Sequence, residues 1–334
     1  MSDRRTVLGA CVGATLGATI LALASGAAAQ APTDFPTRPI RIVVPQAAGS
    51  GVDLQARVLA QKLSELFGQQ VVVEDRPGAN AIIGMDFVAK AAPDGYTIVY
   101  APITSVTTNA FIYKSLPYQP LRDFAPITQA TENPLGAIAF PGSGIKTIKD
   151  LVARAKQEQG KLNYGTFGIG NLTHLMGVLL SSAAGIEMTH VPYKGQTPEM
   201  TDVMAGHVPV GFTTMAGASG FIEGGKLNLL ATFGPKRDPQ FPNTPTVVES
   251  GYPSVIVVGW SGVLAPAGVP KPIIDKLHAA LTKVLAMPDV RDAITKQGSN
   301  PVSSKSPEEF TAFIKSETEK FHAVIKAAGL EGTQ

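Results

Sequence analysis

The chain has one cysteine, Cys11, and one tryptophan, Trp260, in 334 residues. Cys11 falls in an N-terminal segment that reads as an export signal, so the rest of the chain has no disulfide, cysteine metal site or cysteine nucleophile. Charge is also scarce, at 16% Asp, Glu, Lys and Arg with a net of +2. The basic residues are scattered, which argues against the clustered basic face of a nucleic-acid partner. The histidines are His174, His190, His207, His278 and His322. None of their spacings matches H-E-x-x-H or a zinc finger, so no metal and no cofactor is expected. Catalytic motifs are missing too. Gly259-Trp260-Ser261-Gly262 stops short of a nucleophile elbow, and Ser143-Gly144-Ile145-Lys146 spells S-x-x-K without its S-D-N or K-T-G companions. With no convincing nucleophile–base pair, the chain does not read as an enzyme.

Long apolar runs are limited to one. Arg4-Arg5 precedes an uncharged stretch from 6 to 26 and then Ala27-Ala28-Ala29, which is a charged start, an apolar middle and an A-x-A cleavage signal. Residues 1–29 are read as a signal peptide cut after Ala29. The paired arginines fit a twin-arginine signal or an ordinary one, and both stay open. Gly9, Gly13 and Gly17 have transmembrane-dimer spacing, but the adjacent cleavage signal favours a Gly/Ala-rich signal core. Cys11 lies too close to the start for a lipoprotein anchor. Removing 1–29 takes away two of 28 basic and one of 26 acidic residues, leaving a near-neutral product expected in the periplasm.

What is present is glycine (34), proline (26) and a 44% hydrophobic content, enough to bury a core with many tight turns. Strand-like and helix-like runs alternate, which marks an α/β fold. Strands are expected at 40–44, 71–73, 96–100, 137–140, 162–164, 188–191, 208–212, 227–232 and 255–265. Helices are expected from Val52, over 80–91, after Thr147, after Asn171, over about 270–286 and 288–297, and from a Ser306-Pro307-Glu308-Glu309 capping box. Thr197-Pro198 reads as an N-cap with proline at N1. The proline-rich passage from Leu116 to Pro134 reads as the crossing into a second domain. No internal repeat of fixed period is visible. The expected organisation is 30–133 with 257–334 as a discontinuous first domain and 134–256 as the second.

Two glycine-rich turns stand out. Val44-Pro45-Gln46-Ala47-Ala48-Gly49-Ser50-Gly51 and Tyr164-Gly165-Thr166-Phe167-Gly168-Ile169-Gly170 each follow an apolar strand and open a helix. A strand, a glycine turn and a helix N-terminus form an anion-binding concavity from free N–H groups and the helix dipole. Two of them predict a small anion held between two lobes. Asp53 is expected to bond loop N–H groups at its helix start, where a carboxylate would repel an anionic ligand. His174 is expected either to donate to a ligand or to pack beneath the turn against backbone. Lys194 is either a solvated charge or an attraction for ligand, and Trp260 either core or a reporter of lobe closure.

The residues also resemble a known family, the Bug-type periplasmic solute-binding receptors of tripartite tricarboxylate transport systems. The match rests on residues 45–53 with Arg57, on Arg76-Pro77-Gly78-Ala79, on 89–97 and on Asp123-Phe124-Ala125-Pro126. It continues through Tyr164-Gly165 with Gly168 and Gly170, residues 190–195, Pro245-Thr246-Val247 and residues 264–268. The resemblance implies a two-lobed type II periplasmic-binding fold, each lobe a mixed β-sheet flanked by helices, closing on a small carboxylate such as a di- or tricarboxylate. It implies delivery to membrane permease subunits, with a sensor protein as the alternative partner, and a monomer. Carried onto this sequence, the ligand-binding residues are Gln46, Ala47, Ala48, Gly49, Ser50, Thr104, Ser105, Thr166, Phe167, Gly168, Tyr193, Lys194 and Thr213. The chain departs from the family pattern at Gln46 (commonly Phe), Ser50 (Gly) and Val52 (often Thr). It departs also at Asn80-Ala81 (Gly-Gly) and Thr213-Thr214 (often Asp-Asn). The last change removes an acid that could read a ligand amine, so a plain carboxylic acid is expected rather than an amino acid.

Overall fold

Short apolar runs become strands and Ser-, Thr- or Asn-led segments become helices along residues 34–334, which the computed structural model describes. The signal read over 1–29, with Cys11 and the Ala29 cleavage point, lies outside the described residues. Every element belongs to the unit spanning 36–334. The chain opens with β1 (Ile40–Val44), β2 (Val71–Asp75), β3 (Thr97–Pro102) and β4 (Phe124–Asn133). Helices α1 (Gly51–Phe67) and α2 (Ile82–Ala89) join the first three strands, and α3 (Ile103–Val106), α4 (Asn109–Ile112) and α5 (Pro120–Asp123) lie between β3 and β4. A second set follows: β5 (Leu135–Ala139), β6 (Asn163–Thr166), β7 (Thr189–Pro192), β8 (Val210–Thr214) and β9 (Asn228–Thr232). Between these strands lie α6 (Ile148–Glu158), α7 (Leu172–Ala184), α8 (Gln196–Met204) and α9 (Met215–Glu223). The chain then returns through β10 (Gly259–Pro266), α10 (Lys271–Leu285), α11 (Pro288–Lys296), β11 (Asn300–Pro301) and α12 (Pro307–Ala327).

Two sheets result. The first has the order β11-β4-β10-β3-β1-β2 and the second β7-β6-β8-β5-β9. In the first, β1 pairs parallel with β2 and β3, while β10 runs antiparallel to β3 and β4. In the second, β6 pairs parallel with β7 and β8, while β5 runs antiparallel to β8 and β9. The same plan is therefore built twice, although no repeat is visible in the sequence. Four of the five β1 residues, Ile40, Ile42, Val43 and Val44, are buried, as a parallel strand covered on both faces requires.

Helix starts follow the side-chain chemistry. Ser50 Oγ accepts the Asp53 N–H at 3.3 Å, Thr147 Oγ1 the Asp150 N–H at 3.1 Å and Ser306 Oγ the Glu309 N–H at 3.2 Å. One start differs from expectation. Helix α8 is capped by Gly195, so Pro198 sits inside the first turn instead of at N1. The first turn needs no intrahelical N–H, so proline is accommodated there.

The passage 116–134 is more than a crossing. Its second half is β4, a ten-residue strand paired with β10 and β11. Proline disguised it. The register steps from Val263↔Thr128 to Leu264↔Pro126, and this bulge gives Pro126 a place in the ladder. The chain leaves the first sheet through Pro134, whose carbonyl accepts the Met215 N–H at 2.9 Å, and returns at Gly259. Trp260 is core. It is 1% exposed on β10, with Phe310 and Phe313 of α12 against its ring.

Candidate functional site

Strand order places the site. In the first sheet the chain moves from β1 outward to β2, then jumps to β3 on the other side. A crevice opens beyond the carboxyl ends of β1 and β3, where neighbouring loops diverge. The second sheet repeats this at β6 and β8. The loops at the two crevices are residues 45–50, the start of α3, residues 167–171 and the start of α9. These segments contain Gln46, Ala47, Ala48, Gly49, Ser50, Thr104, Ser105, Phe167 and Gly168, with Thr166 the last residue of β6 and Thr213 the last but one of β8.

In the first turn Ala47, Ala48 and Gly49 are exposed, while Gln46 and Ser50 are half-buried. Asp53 Oδ2 accepts the Gly49 N–H at 2.7 Å and Ser50 N–H reaches the Ala47 carbonyl at 3.1 Å. The N–H groups of Ala47 and Ala48 have no protein acceptor among the described residues. Asp53 is 1% exposed and pairs with Arg57, which also holds Asp75. Burial opposes its ionisation, but the Gly49 N–H and the Arg57 guanidinium outweigh burial and hold its carboxyl below the usual carboxylate range. Asp53 therefore shapes the turn, and its charge is spent on Arg57. After β3, Thr104 is 7% exposed, and Ser105 is fully buried with its hydroxyl on the Pro102 carbonyl at 2.7 Å.

The second turn is tied from below. Thr173 Oγ1 accepts the Phe167 N–H, Thr166 Oγ1 the Gly168 N–H and His174 Nδ1 the Gly170 N–H. Most of its donors are therefore occupied, and Ile169, at the exposed tip, keeps a free N–H among the described residues. Thr166 Oγ1 lies 2.6 Å from His190 Nε2, and the His174 and His190 rings stack with centroids 3.9 Å apart. His174 Nδ1 accepts a backbone N–H, which demands a neutral ring there. Burial pushes both down to about 4, helped at His190 by the neighbouring His174. His174 thus packs beneath the turn.

The segment after β7 joins the same crevice. Tyr193 N–H donates to the Thr166 carbonyl at 2.9 Å, and the Tyr193 hydroxyl donates to Asp202 at 2.7 Å. Lys194 is exposed and forms no ion pair among the described residues. Thr213 is fully buried and accepts the Gln196 amide at 2.9 Å, and the same amide reaches the Thr214 carbonyl. Gln196 escaped the sequence reading because nothing local marks an amide that bonds seventeen residues away. Asn109 escaped it likewise. It exchanges bonds with Asn80 in both directions, fixing a turn in which Ala79, Asn80 and Ala81 all have positive φ, at 46°, 51° and 74°.

Gly170 lies against Ile112 of α4, where a Cβ would come within 2.4 Å, so the second turn touches the first sheet's helices. Among the described residues no cluster of His, Cys, Asp or Glu could hold a metal, and no helix is long and apolar enough to cross a membrane.

Comparison with known proteins agrees with this geometry. The chain is similar to the periplasmic binding protein BugD, at 34% identity and TM-score 0.78, covering 89% of this chain and 99% of that one. A Rhodopseudomonas palustris protein solved with adipate is 30% identical with TM-score 0.81, covering 88% and 98%. MatC from Rhodopseudomonas palustris, solved with bound malate, is 28% identical with TM-score 0.77, covering 87% and 100%. A family described as "Tripartite tricarboxylate transporter family receptor" matches residues 55–330, and with two sheets on one plan and a glycine turn at each crevice, the chain belongs to it.

Proposed function

We propose that this protein is an exported, non-enzymatic receptor that holds a small carboxylate between the crevices of its two sheets and passes it to the permease subunits of a tripartite transporter. The observation that carries this is the doubled crevice. Each sheet ends in a strand–turn–helix unit at its own switch point, and the first turn presents the unpartnered N–H groups of Ala47 and Ala48. The adipate and malate held by relatives are of the same chemical class. Lys194, exposed beside the second crevice, adds positive charge without demanding a fixed partner. The ligand-binding set is Gln46, Ala47, Ala48, Gly49, Ser50, Thr104, Ser105, Thr166, Phe167, Gly168, Tyr193, Lys194 and Thr213, with Ser105 and Thr166 acting from beneath. The lobes are 30–133 with 257–334, and 134–256. Residues 1–29 are removed near Ala29 on export to the periplasm, and the receptor works as a monomer.

Thr213 also bears on selectivity. It stands where relatives often place an acid, and its hydroxyl is engaged by Gln196. A ligand amine finds no carboxylate there, so plain dicarboxylates bind better than aspartate or glutamate. A thermal-shift series with adipate, malate, succinate, aspartate and glutamate tests this. A ligand at one hundred times its dissociation constant adds about 2.7 kcal/mol, a readily visible shift. Tighter binding of the amino acids overturns the selectivity. No shift with any acid, or turnover of a bound acid seen by mass spectrometry, overturns the receptor reading. Pull-down of the loaded protein with permease or with a sensor decides the partner.

A further inference from the structure

Both crossings between the sheets pass side by side. Asn133, the last residue of β4, pairs with Gly259, the first of β10, and a Cβ on Gly259 would lie 3.0 Å from the Asn133 carbonyl. A buried polar cluster closes around this point. Gln55 of α1 is 2% exposed, and its Oε1 accepts from the Tyr100 hydroxyl at 2.8 Å and the Thr131 hydroxyl at 3.2 Å. Its amide donates to Ser299 Oγ at 2.9 Å. Ser299 in turn donates to Asn133 Oδ1 at 2.9 Å, and Asn133 Nδ2 reaches Ser261 Oγ at 3.3 Å. Five elements or loops therefore meet through uncharged side chains, buried except at the half-buried Asn133, and bonds in such a shielded network are strong and mutually supporting.

The location gives the cluster a consequence. Gln55 sits one turn beyond Ser50, so it is rigidly linked to the first ligand turn. Asn133 precedes Pro134, whose ring fixes its own φ and restricts Asn133 to extended backbone. Pro134 bonds the start of α9, and next to Ser299 the backbone of Gly298 rests on Ala216 of α9, leaving only 2.4 Å between an added Cβ and the Ala216 Cα. Turning one sheet against the other must change the backbone beside Asn133, and its side-chain amide is clamped there.

We propose that Gln55, Ser299 and Asn133 are positioning residues for ligand capture: their cluster clamps the crossing and holds the two sheets apart, with Ala47, Ala48 and Gly49 open to solvent, until ligand draws them together. This rests on the two-lobed receptor reading. Removing one bridge shifts the ligand-free open–closed ratio toward closed by about tenfold, as loss of a bond or two in a two-state equilibrium would.

Spin labels at I83C and T197C, beside the two crevices, report the separation in a C11S background. Ligand-free Ser299→Ala and Asn133→Ala should each gain a shorter-distance population that the parent lacks. Ser304→Ala, which removes a buried hydroxyl bonded to β4 at Gln129, should keep the parent distribution. Ser299→Ala deletes one atom and should fold even where Asn133→Ala does not. An unchanged or longer distribution in Ser299→Ala overturns the proposal. Adipate is the ligand probe. Its failure to shorten the parent distance counts against the carboxylate reading, while the ligand-free distributions decide the clamp.

Discussion

Two stacked imidazoles are packed beneath the second turn, His174 accepting a turn N–H, and this makes the protein acid-sensitive. His174 is pushed down to about 4, whereas the unfolded chain keeps an ordinary imidazole near 6.5. Between these values the unfolded chain binds the proton and the folded chain does not. The His174 contribution is therefore complete above about pH 6.5 and is lost as pH falls toward 4, by on the order of 3 kcal/mol. Urea midpoints from pH 4 to 7 should show this slope, and His174→Gln should reduce it to the part that His190 contributes. Glu199 behaves in the opposite sense. It is fully buried on α8 with no partner for either oxygen among the described residues, above Gly165 and Gly211, where a Cβ on Gly211 would strike it at 2.0 Å. Burial raises its pKa from 4.5 to about 8. The unfolded chain releases this proton first, so stability falls as pH rises from about 4.5 to 8. Glu199→Gln, which stays neutral, should gain on the order of 4 kcal/mol at pH 8 and little at pH 4.5, read from denaturation midpoints. Of the two, His174 is marked in the sequence by its place at a helix start after the glycine turn, whereas Glu199 is one acid among many.

At the scale of elements, most caps were legible, Thr197 at α8 excepted, and the special backbone was not. Thr147, Asn171 and Ser306 announce helices because a short polar side chain before an apolar face has one good use there. The turn before α2 carries no such mark. Three consecutive non-glycine residues in left-handed conformations are unfavourable, at about 1–2 kcal/mol each, and the exchange between Asn80 and Asn109 offsets part of this. Ala79→Gly should relieve the strain at φ 46° and, because Ala79 is exposed, lose almost no buried surface. After the extra unfolded-state entropy of glycine, a net gain of about 0.5 kcal/mol is expected in the denaturation midpoint. The β4 strand shows the reverse error. Its prolines resemble a linker because local propensity is blind to a bulge that only pairing with β10 reveals. The glycine turns were found correctly as turns, but their donors were overcounted. Thr173, Thr166 and His174 already occupy three N–H groups of the second turn, a fact set by side-chain rotamers that spacing does not encode.

For the whole molecule, the sequence by itself determined the α/β alternation, the strand–turn–helix units and the family, because apolar periodicity, caps and glycine turns are local properties of the chain. Only tertiary structure decided that the two sheets follow one plan, since equivalent strand orders need no shared residues. It also decided which polar residues meet. Gln55 and Ser299 are 244 positions apart and Gln55 and Asn133 are 78, yet they share one buried cluster where the chain crosses between sheets. Nothing local specifies such a meeting. It follows from the strands and helices that pack around it, and from the cost of leaving a buried amide without a partner once they have packed.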